Sequence, residues 1–272
     1  MSSFPMRKHP LKLVGILLVT VILGFVMLPA VVVTITAFND KAILAFPPQS
    51  YSLRWFARSL AYDDFRKGFW NGLIVTAWAS TLALAIGTGF ALALHRYSFS
   101  LKSTLEGLLL SPLVIPHFTI GLGLLILSAQ LTVGRGFPLV ILAHVILVLP
   151  FVLRSVFISL QNLDGRLEMA ASSLGASPGR VLFTVTLPLL VPGLVSGWLF
   201  AAILSFNEFT ATLFVSNQAA QTLPVAMYNY VREYADPTLA ALSVIYIVVT
   251  ALLLTLANLF FGLGKILNVD AH

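Results

Sequence analysis

Long stretches without Asp, Glu, Lys or Arg alternate with short charged segments along this chain. They cover residues 13–38, 69–94, 107–133, 137–153, 190–215 (interrupted by Glu208) and 239–263. A helix needs ~20 mostly apolar residues to cross a bilayer. Since every backbone polar group must be paired inside the hydrocarbon, each stretch should be helical. The pattern predicts an all-α, polytopic transmembrane bundle of about six spans.

Composition supports a membrane protein. Of 272 residues, 58% are hydrophobic and 10% are charged, whereas a globular domain carries about 25% charged residues. The soluble-enzyme and nucleic-acid-binding classes are therefore disfavoured, although the net charge is +6. There is no cysteine, which excludes disulfides and thiolate metal ligands. The first apolar stretch exceeds the ~7–15 residues of a signal-peptide core, so we interpret it as a retained helix.

Lys and Arg positions bear on orientation. With a cytoplasmic N-terminus, nine lie in inside segments and seven in outside segments. This bias favours N- and C-termini in the cytoplasm, and the opposite orientation stays open on charge alone. We divide the chain into a cytoplasmic N-terminus (1–12), a single transmembrane domain (13–265) and a cytoplasmic tail (266–272).

Two longer polar segments separate the spans. The outer one, 39–68, mixes charges with aromatic residues such as Tyr51 and Trp55. It is either an amphipathic surface helix with its aromatic side chains at the lipid headgroups or a dock for an outside partner.

The inner segment, 154–188, has helix start and stop signals. Asp164 is an expected N-cap for a helix at 166–174, and Gly175 is placed to end it. Ser177 and Pro178 favour a second start, and Leu187-Pro188 is expected to break the chain before the fifth span. The residues alone leave open an ordinary helical loop or a compact helical projection that another surface can approach.

This segment resembles the EAA loop of the inner-membrane permeases of ABC importers. Ala170, Ala171 and Gly175 match that motif, Val185 takes its aliphatic place, and Leu187-Pro188 closes it. Met169 stands where the family has Glu, and Glu168 lies one position earlier.

The resemblance extends to the polyamine (spermidine/putrescine)-type permeases. It is carried by the six-span layout and by residues 111–116, 205–208, 222–224, 227–228 and 236–237. It implies the type I ABC importer permease fold in a bacterial inner membrane. The implied protein partners are a second, different permease subunit, two ATP-binding subunits and a periplasmic solute-binding protein. The chain should also contact membrane lipid, and it should not bind nucleic acid. The implied ATPase-coupling residues are Glu168, Met169, Ala170, Ala171, Gly175, Ala176 and Pro178.

The sequence contains no G-x-x-x-x-G-K-[ST] phosphate loop. We therefore expect a transport subunit that is not an enzyme. It should have no catalytic residues, no metal site and no cofactor of its own, and the partner ATPase should bind ATP and Mg.

Glu208 is the acid placed well inside a predicted span. A charge there costs at least ~2.5 kcal/mol, so it should face protein or a watery path. It is either a structural partner or a reader of a cationic solute. The residues expected to line the path with it are Ser205, Asn207, Thr210 and His117.

The residues alone leave the class of solute open. In similar permeases an acid often stands at the positions of His117 and Asn207, which weakens the case for a multiply charged polyamine. A monoamine or an amino-acid-like, opine-like or aminophosphonate solute remains possible. His144 is expected to be a hydrogen-bonded interior histidine, and Asn71 to bond across helices.

Two other classes compete. A self-sufficient secondary transporter predicts inverted repeats and several buried ionisable groups. An intramembrane enzyme predicts a paired catalytic set. The sequence shows neither convincing inverted repeats with several buried ionisable groups nor a paired catalytic set.

Overall fold

A computed structural model describes residues 9–43 and 45–261. Residues 1–8 of the predicted N-terminal segment, the end of the predicted membrane domain (262–265) and the predicted tail (266–272) lie outside this range. The helices are α1 His9–Ala37, α2 Arg54–Ala61, α3 Asp63–Arg96, α4 Lys102–Leu110, α5 His117–Gln130, α6 Phe137–Gln161, α7 Gly165–Ser173, α8 Pro178–Val181, α9 Leu187–Phe206, α10 Thr210–Val215, α11 Leu223–Glu233 and α12 Thr238–Phe261. A 3₁₀ turn occupies Ser111–Leu113 and a π-helical turn occupies Leu182–Thr186.

The described helices confirm an all-α, multi-pass architecture. Four are long and apolar enough to cross a membrane: Lys12–Ala37, Asp63–Arg96, Phe137–Gln161 and Pro178–Phe206. The pair Lys102–Leu113 and His117–Gln130 is bent by 103° and gives a fifth span if it crosses as one unit. Pro112 and Pro116 lie at that bend, where proline is expected to interrupt a helix. The sixth predicted stretch lies in the apolar helix α12, Thr238–Phe261.

The contacts divide the chain into two units. The first comprises the described residues up to Tyr62 together with 230–253, and the second comprises 63–229 and 254–261. In the second unit α3, α6 and α9 share one core, and α3 contributes small side chains such as Ala79 and Ala83. At Gly87 an added Cβ would lie 2.9 Å from Val152 Cγ1. Small residues at these positions let the backbones approach closely, which is how helices associate in lipid.

A second close approach joins α5 to α10. A Cβ on Gly121 would lie 2.8 Å from both the Cα and the carbonyl oxygen of Ala211. Since these are backbone atoms, the two helices can make room only by moving apart.

We therefore expect Gly121→Ala to lower the thermal unfolding temperature of the purified protein by several degrees, because overpacking typically costs 1–3 kcal/mol. The matched control is Gly123→Ala, where no atom lies within 4 Å. That variant should be neutral or slightly stabilising, since alanine is the better helix former. Equal unfolding temperatures for the two variants would contradict the close approach.

The first unit is organised around Asn39 and Trp55. The Asn39 side chain donates to the carbonyl of Ile43 at 3.1 Å and accepts from the amide of Lys41 at 3.1 Å. The indole N–H of Trp55 donates to the Asn39 carbonyl at 2.6 Å. Trp55 is 3% exposed and packs with Ala37, Ala240 and Ala241. The predicted helix in segment 39–68 exists, but its tryptophan anchors a folded segment, so for Trp55 the headgroup interpretation is wrong.

Asp236 closes this unit with a polar network. Its carboxylate accepts from the hydroxyl of Tyr230 at 3.0 Å and from the amide of Thr238 at 2.9 Å, and it pairs with Arg58 at 3.3 Å. Burial alone would raise the pKa of Asp236. The hydrogen bonds from Thr238 and Tyr230, together with the charge of Arg58, lower the pKa below its ordinary value.

A lowered carboxyl pKa stabilises the fold above the unfolded-state pKa and stops doing so as the pH falls through the folded-state pKa. We expect α2 to exchange its amide hydrogens faster below about pH 4, near the ordinary Asp pKa, after correction for intrinsic rates. Asp236→Asn should raise exchange at neutral pH and flatten this pH dependence. Asp63→Asn, which removes an exposed pair with Arg66, should leave the α2 profile unchanged. An unaltered profile in Asp236→Asn would reject the network's role.

Candidate functional site

The fifth predicted stretch is not one continuous helix. α9 ends at Phe206, α10 begins at Thr210, and Glu208 lies in the break. The side-chain amide of Asn207 donates to the Ile203 carbonyl at 2.7 Å, whereas Glu208 Oε1 accepts from the Ala211 amide at 2.7 Å. Asn207 thus bonds back to the last turn of α9, and Glu208, one residue before the N-cap Phe209, bonds forward to the first turn of α10. The expectation of an unbroken span here is corrected.

Glu208 also faces the start of α5. His117 is the first residue of that helix, after Pro116, and its Nδ1 lies 2.8 Å from Glu208 Oε2. The His117 side chain is half exposed, whereas that of Glu208 is buried. Nδ1 donates to the carboxylate either as the neutral Nδ1–H tautomer or as the imidazolium. Two helix starts therefore meet at one carboxylate.

His144 supports the break from α6. Its Nδ1 lies 2.8 Å from Ser205 Oγ on α9, and its Nε2 lies 2.7 Å from Thr212 Oγ1 on α10. The residue is 1% exposed. A neutral imidazole satisfies both contacts, since one ring nitrogen donates and the other accepts. The prediction of a hydrogen-bonded interior histidine is confirmed. Asn71 does not bond to another helix as expected: its amide donates to the carbonyls of Ala219 and Gln221 at 2.9 Å each, in the turn between α10 and α11.

A cavity of about 190 Å³ opens at this break. It is lined by His117, His144, Leu147, Val148, Phe151, Leu204, Ser205, Asn207 and Glu208. Four of the five side chains expected on the path lie together here, while Thr210 at the start of α10 is not part of the lining. Of the acidic residues that the structure describes, only Glu208 is buried, at 8% exposure. The cavity therefore combines one carboxylate with imidazole, hydroxyl and amide groups on an otherwise apolar wall.

The inner segment carries the predicted caps. The Asp164 side chain accepts from the Arg166 amide at 3.0 Å, and Ser177 Oγ accepts from the Arg180 amide at 3.4 Å. Gly175 has a φ of +85°. Its amide bonds to the Ser172 carbonyl at 2.9 Å, and the amide of Ala176 bonds to the Ala171 carbonyl at 3.2 Å. This pair of bonds is the Schellman motif, which ends α7 and turns the chain into α8.

The expectation that Leu187-Pro188 interrupts the helix is wrong. The helix continues through both residues, from Pro178 to Phe206, as one candidate span. Pro188 has no amide hydrogen to donate. The π-helical turn Leu182–Thr186 immediately before it widens the helix and accommodates the missing bond. α8 is thus the first turn of the candidate span that leads to Glu208.

The small and apolar side chains of α7 face outward. Met169 and Ala170 are exposed, Ala171 is partly exposed, and α7 buries none of its residues. Glu168 instead points into the chain, where Oε1 accepts from Arg96 Nη2 at 2.5 Å. Arg96 was not singled out in the sequence, since it lies 72 positions away at the end of another helix.

A multi-pass helical bundle with a polar cavity at broken helices defines a membrane permease. The chain belongs to the family of binding-protein-dependent transport system inner membrane components, whose model matches residues 83–263.

Two relatives make the kinship specific. The spermidine/putrescine transport system permease protein PotC of Haemophilus influenzae is 30% identical over 240 residues, which cover 88% of this chain and 93% of that protein. The putrescine transport system permease protein PotI of Escherichia coli is 32% identical over 252 residues, covering 89% of this chain and 88% of that one.

The fold is also found among solved structures. It matches a chain of a bacterial ABC transporter involved in the import of the acidic polysaccharide alginate, with a TM-score of 0.71 and 14% identity, over 96% of this chain and 100% of that one. This likeness confirms the expected permease fold of ABC importers. The family establishes a multi-pass inner-membrane transport component that works with an ATPase and a binding protein.

Proposed function

We propose that this chain is the translocation subunit of an ATP-driven importer for a small, amine-containing solute. The observation that carries the solute class is the cavity at Glu208, where the one buried acid of the described chain meets hydroxyl, amide and imidazole groups. A buried carboxylate selects a cation, since an unpaired charge in a low-dielectric site is costly. The names of the two relatives, which refer to spermidine and putrescine transport, support the same class.

The cavity suits a small amine. It measures about 190 Å³ and contains one carboxylate, which already contacts His117. An incoming ammonium group would therefore displace His117 from Glu208 Oε2. One carboxylate matches one ammonium group, so a monoamine already meets these conditions. The names of the two relatives favour a diamine such as putrescine, and aminophosphonate, opine or amino-acid-like solutes are the alternatives within the same family.

The assembly follows from the same proposal. This chain pairs with a second, different permease, two ATP-binding subunits hold ATP and Mg, and an external binding protein delivers the solute. The segment 168–178 contacts the ATPase on the cytoplasmic side, where both termini also lie, although the Glu168 side chain itself turns toward Arg96. The exposed Ala170, Ser172 and Ser173 of α7 and the hydrogen-bonded turn at Gly175 support an ATPase contact here, because small side chains let another surface approach closely.

The decisive experiment is reconstitution. The tagged chain is purified from its native host with the subunits that accompany it, and placed in liposomes with radiolabelled putrescine and the host's periplasmic binding proteins outside and ATP inside. We expect co-purification of an ATPase and a second permease, and uptake that needs both ATP and the binding protein. Uptake by the lone chain, driven by an ion gradient, would establish a secondary transporter instead.

A further inference from the structure

Arg96 connects three parts of the chain that the sequence keeps far apart. It is the last residue of α3, and its Nη2 donates to Glu168 Oε1 at 2.5 Å and to Thr186 Oγ1 at 3.0 Å. The Thr186 hydroxyl also donates to Glu168 Oε1. Glu168 lies on α7, and Thr186 ends the π-helical turn that leads into α9. We call these three residues the Arg96 junction.

The Arg96 junction is partly shielded from solvent, which strengthens its charged contact. The side chains of Arg96 and Glu168 are 30% and 28% exposed, and Thr186 is fully buried. A charge-assisted bond is stronger than a neutral one. Removing one member of a partly buried pair leaves the other with an uncompensated charge. Since α7 buries none of its own residues, this polar contact provides the attachment that an apolar core would otherwise supply.

The topology shows what the attachment adds. α7 connects covalently to α9 through the Gly175 turn, α8 and the π-helical turn. It has no such direct connection to α3, which precedes it by two spanning elements. A displacement of α7 reaches α9 along the chain, and it reaches the body of α3 through the core that α3 shares with α9. Arg96 adds a direct contact between α7 and the end of α3.

We propose that Arg96 is a positioning residue for energy coupling, which transmits movement of α7 to α3 and α9 together. The inference rests on the proposed function, and it assigns Glu168 to a contact inside this chain instead of an ionic contact with the ATPase. With the junction intact, α3, α7 and α9 move as one body, so ATP-driven displacement of α7 reshapes the bundle around the Glu208 cavity. Without it, α7 can move while the end of α3 is no longer held to it.

The test is a double-mutant cycle in the reconstituted complex, with ATP hydrolysis and putrescine uptake measured in the same liposomes. Arg96→Gln and Glu168→Gln should each lower the solute imported per ATP by at least about fivefold, within the usual range of coupling between sites. The double variant should be no worse than either single variant, because all three lose the same contact. Thr186→Val should show a smaller loss, and Thr186→Ser should retain coupling. Lys102→Gln, which removes a positive charge outside the junction, should match the wild type.

The outcomes separate this inference from the proposed function. If the wild-type complex shows no ATP-dependent uptake, the proposed function fails. If the wild type couples and the Gln variants couple equally well, or if their losses add in the double variant, the junction has no such role. If single variants fail to assemble, recovery in the charge-swapped Arg96→Glu/Glu168→Arg variant supports the contact, and continued failure overturns it.

Discussion

Replacing Gly175 by valine is expected to separate ATP hydrolysis from import. The Gly175→Val complex should hydrolyse ATP yet import at most about a tenth of the wild-type solute per ATP, since strained backbone costs ~1–3 kcal/mol. The reason is strain in the backbone of residue 175 itself and not a clash with another part of the chain. Gly175 has a φ of +85°, and no atom lies within 4 Å of where its Cβ would be. A β-branched residue at positive φ is strongly disfavoured, so the turn should open and α7 should lose its fixed angle to α8.

Two substitutions separate strain from loss of glycine itself. Asparagine tolerates the left-handed conformation, so Gly175→Asn should keep most of the coupling. Gly179→Ala adds a Cβ in open space within α8 and should match the wild type. Coupling should therefore decrease in the order Gly179→Ala, Gly175→Asn, Gly175→Val. Full coupling in Gly175→Val would show that the rigid turn is not needed.

Local signals predicted the caps of the inner segment correctly. Asp164, Gly175 and Ser177 act within three residues of themselves, through bonds that depend only on the nearby backbone. The bend between α4 and α5 was predictable for the same reason, because proline disturbs the helix that contains it. Features set by a residue and its immediate neighbours can be inferred from one sequence.

Features set by competing bonds or by distant partners could not be inferred. The break at Glu208 depends on Asn207 and Glu208 offering better bonds than helix continuation does, and on His144, 61 positions from Ser205, holding both sides. The hydropathy of residues 190–215 would fit an unbroken span equally well. At Pro188 the proline signal was misleading, because a π-helical turn accommodates it. Arg96 became visible only when the fold placed it beside Glu168.

Glu208→Gln is expected to be the most informative change in the cavity. The amide oxygen of glutamine can still accept the Ala211 amide hydrogen, which the carboxylate accepts at 2.7 Å. The start of α10 should therefore survive, and only the negative charge is removed. If Glu208 binds the ammonium group, putrescine uptake should fall about tenfold or more, since each tenfold step corresponds to about 1.4 kcal/mol of lost interaction. ATP hydrolysis, subunit assembly and thermal unfolding temperature should change little.

Two further variants complete the comparison. Glu106→Gln removes an exposed acid that does not line this cavity, and it should leave uptake unchanged. Glu208→Leu removes both charge and cap, so it should add a loss of stability of ~1 kcal/mol to the loss of uptake. Normal uptake in Glu208→Gln together with a destabilised Glu208→Leu would mean that the acid serves α10 alone. No other acid in the described chain is buried. A buried carboxylate of this part of the chain would then not be the group that binds the solute. The carboxylate is thus tested separately as a charge and as a helix cap, which a single alanine substitution would confuse.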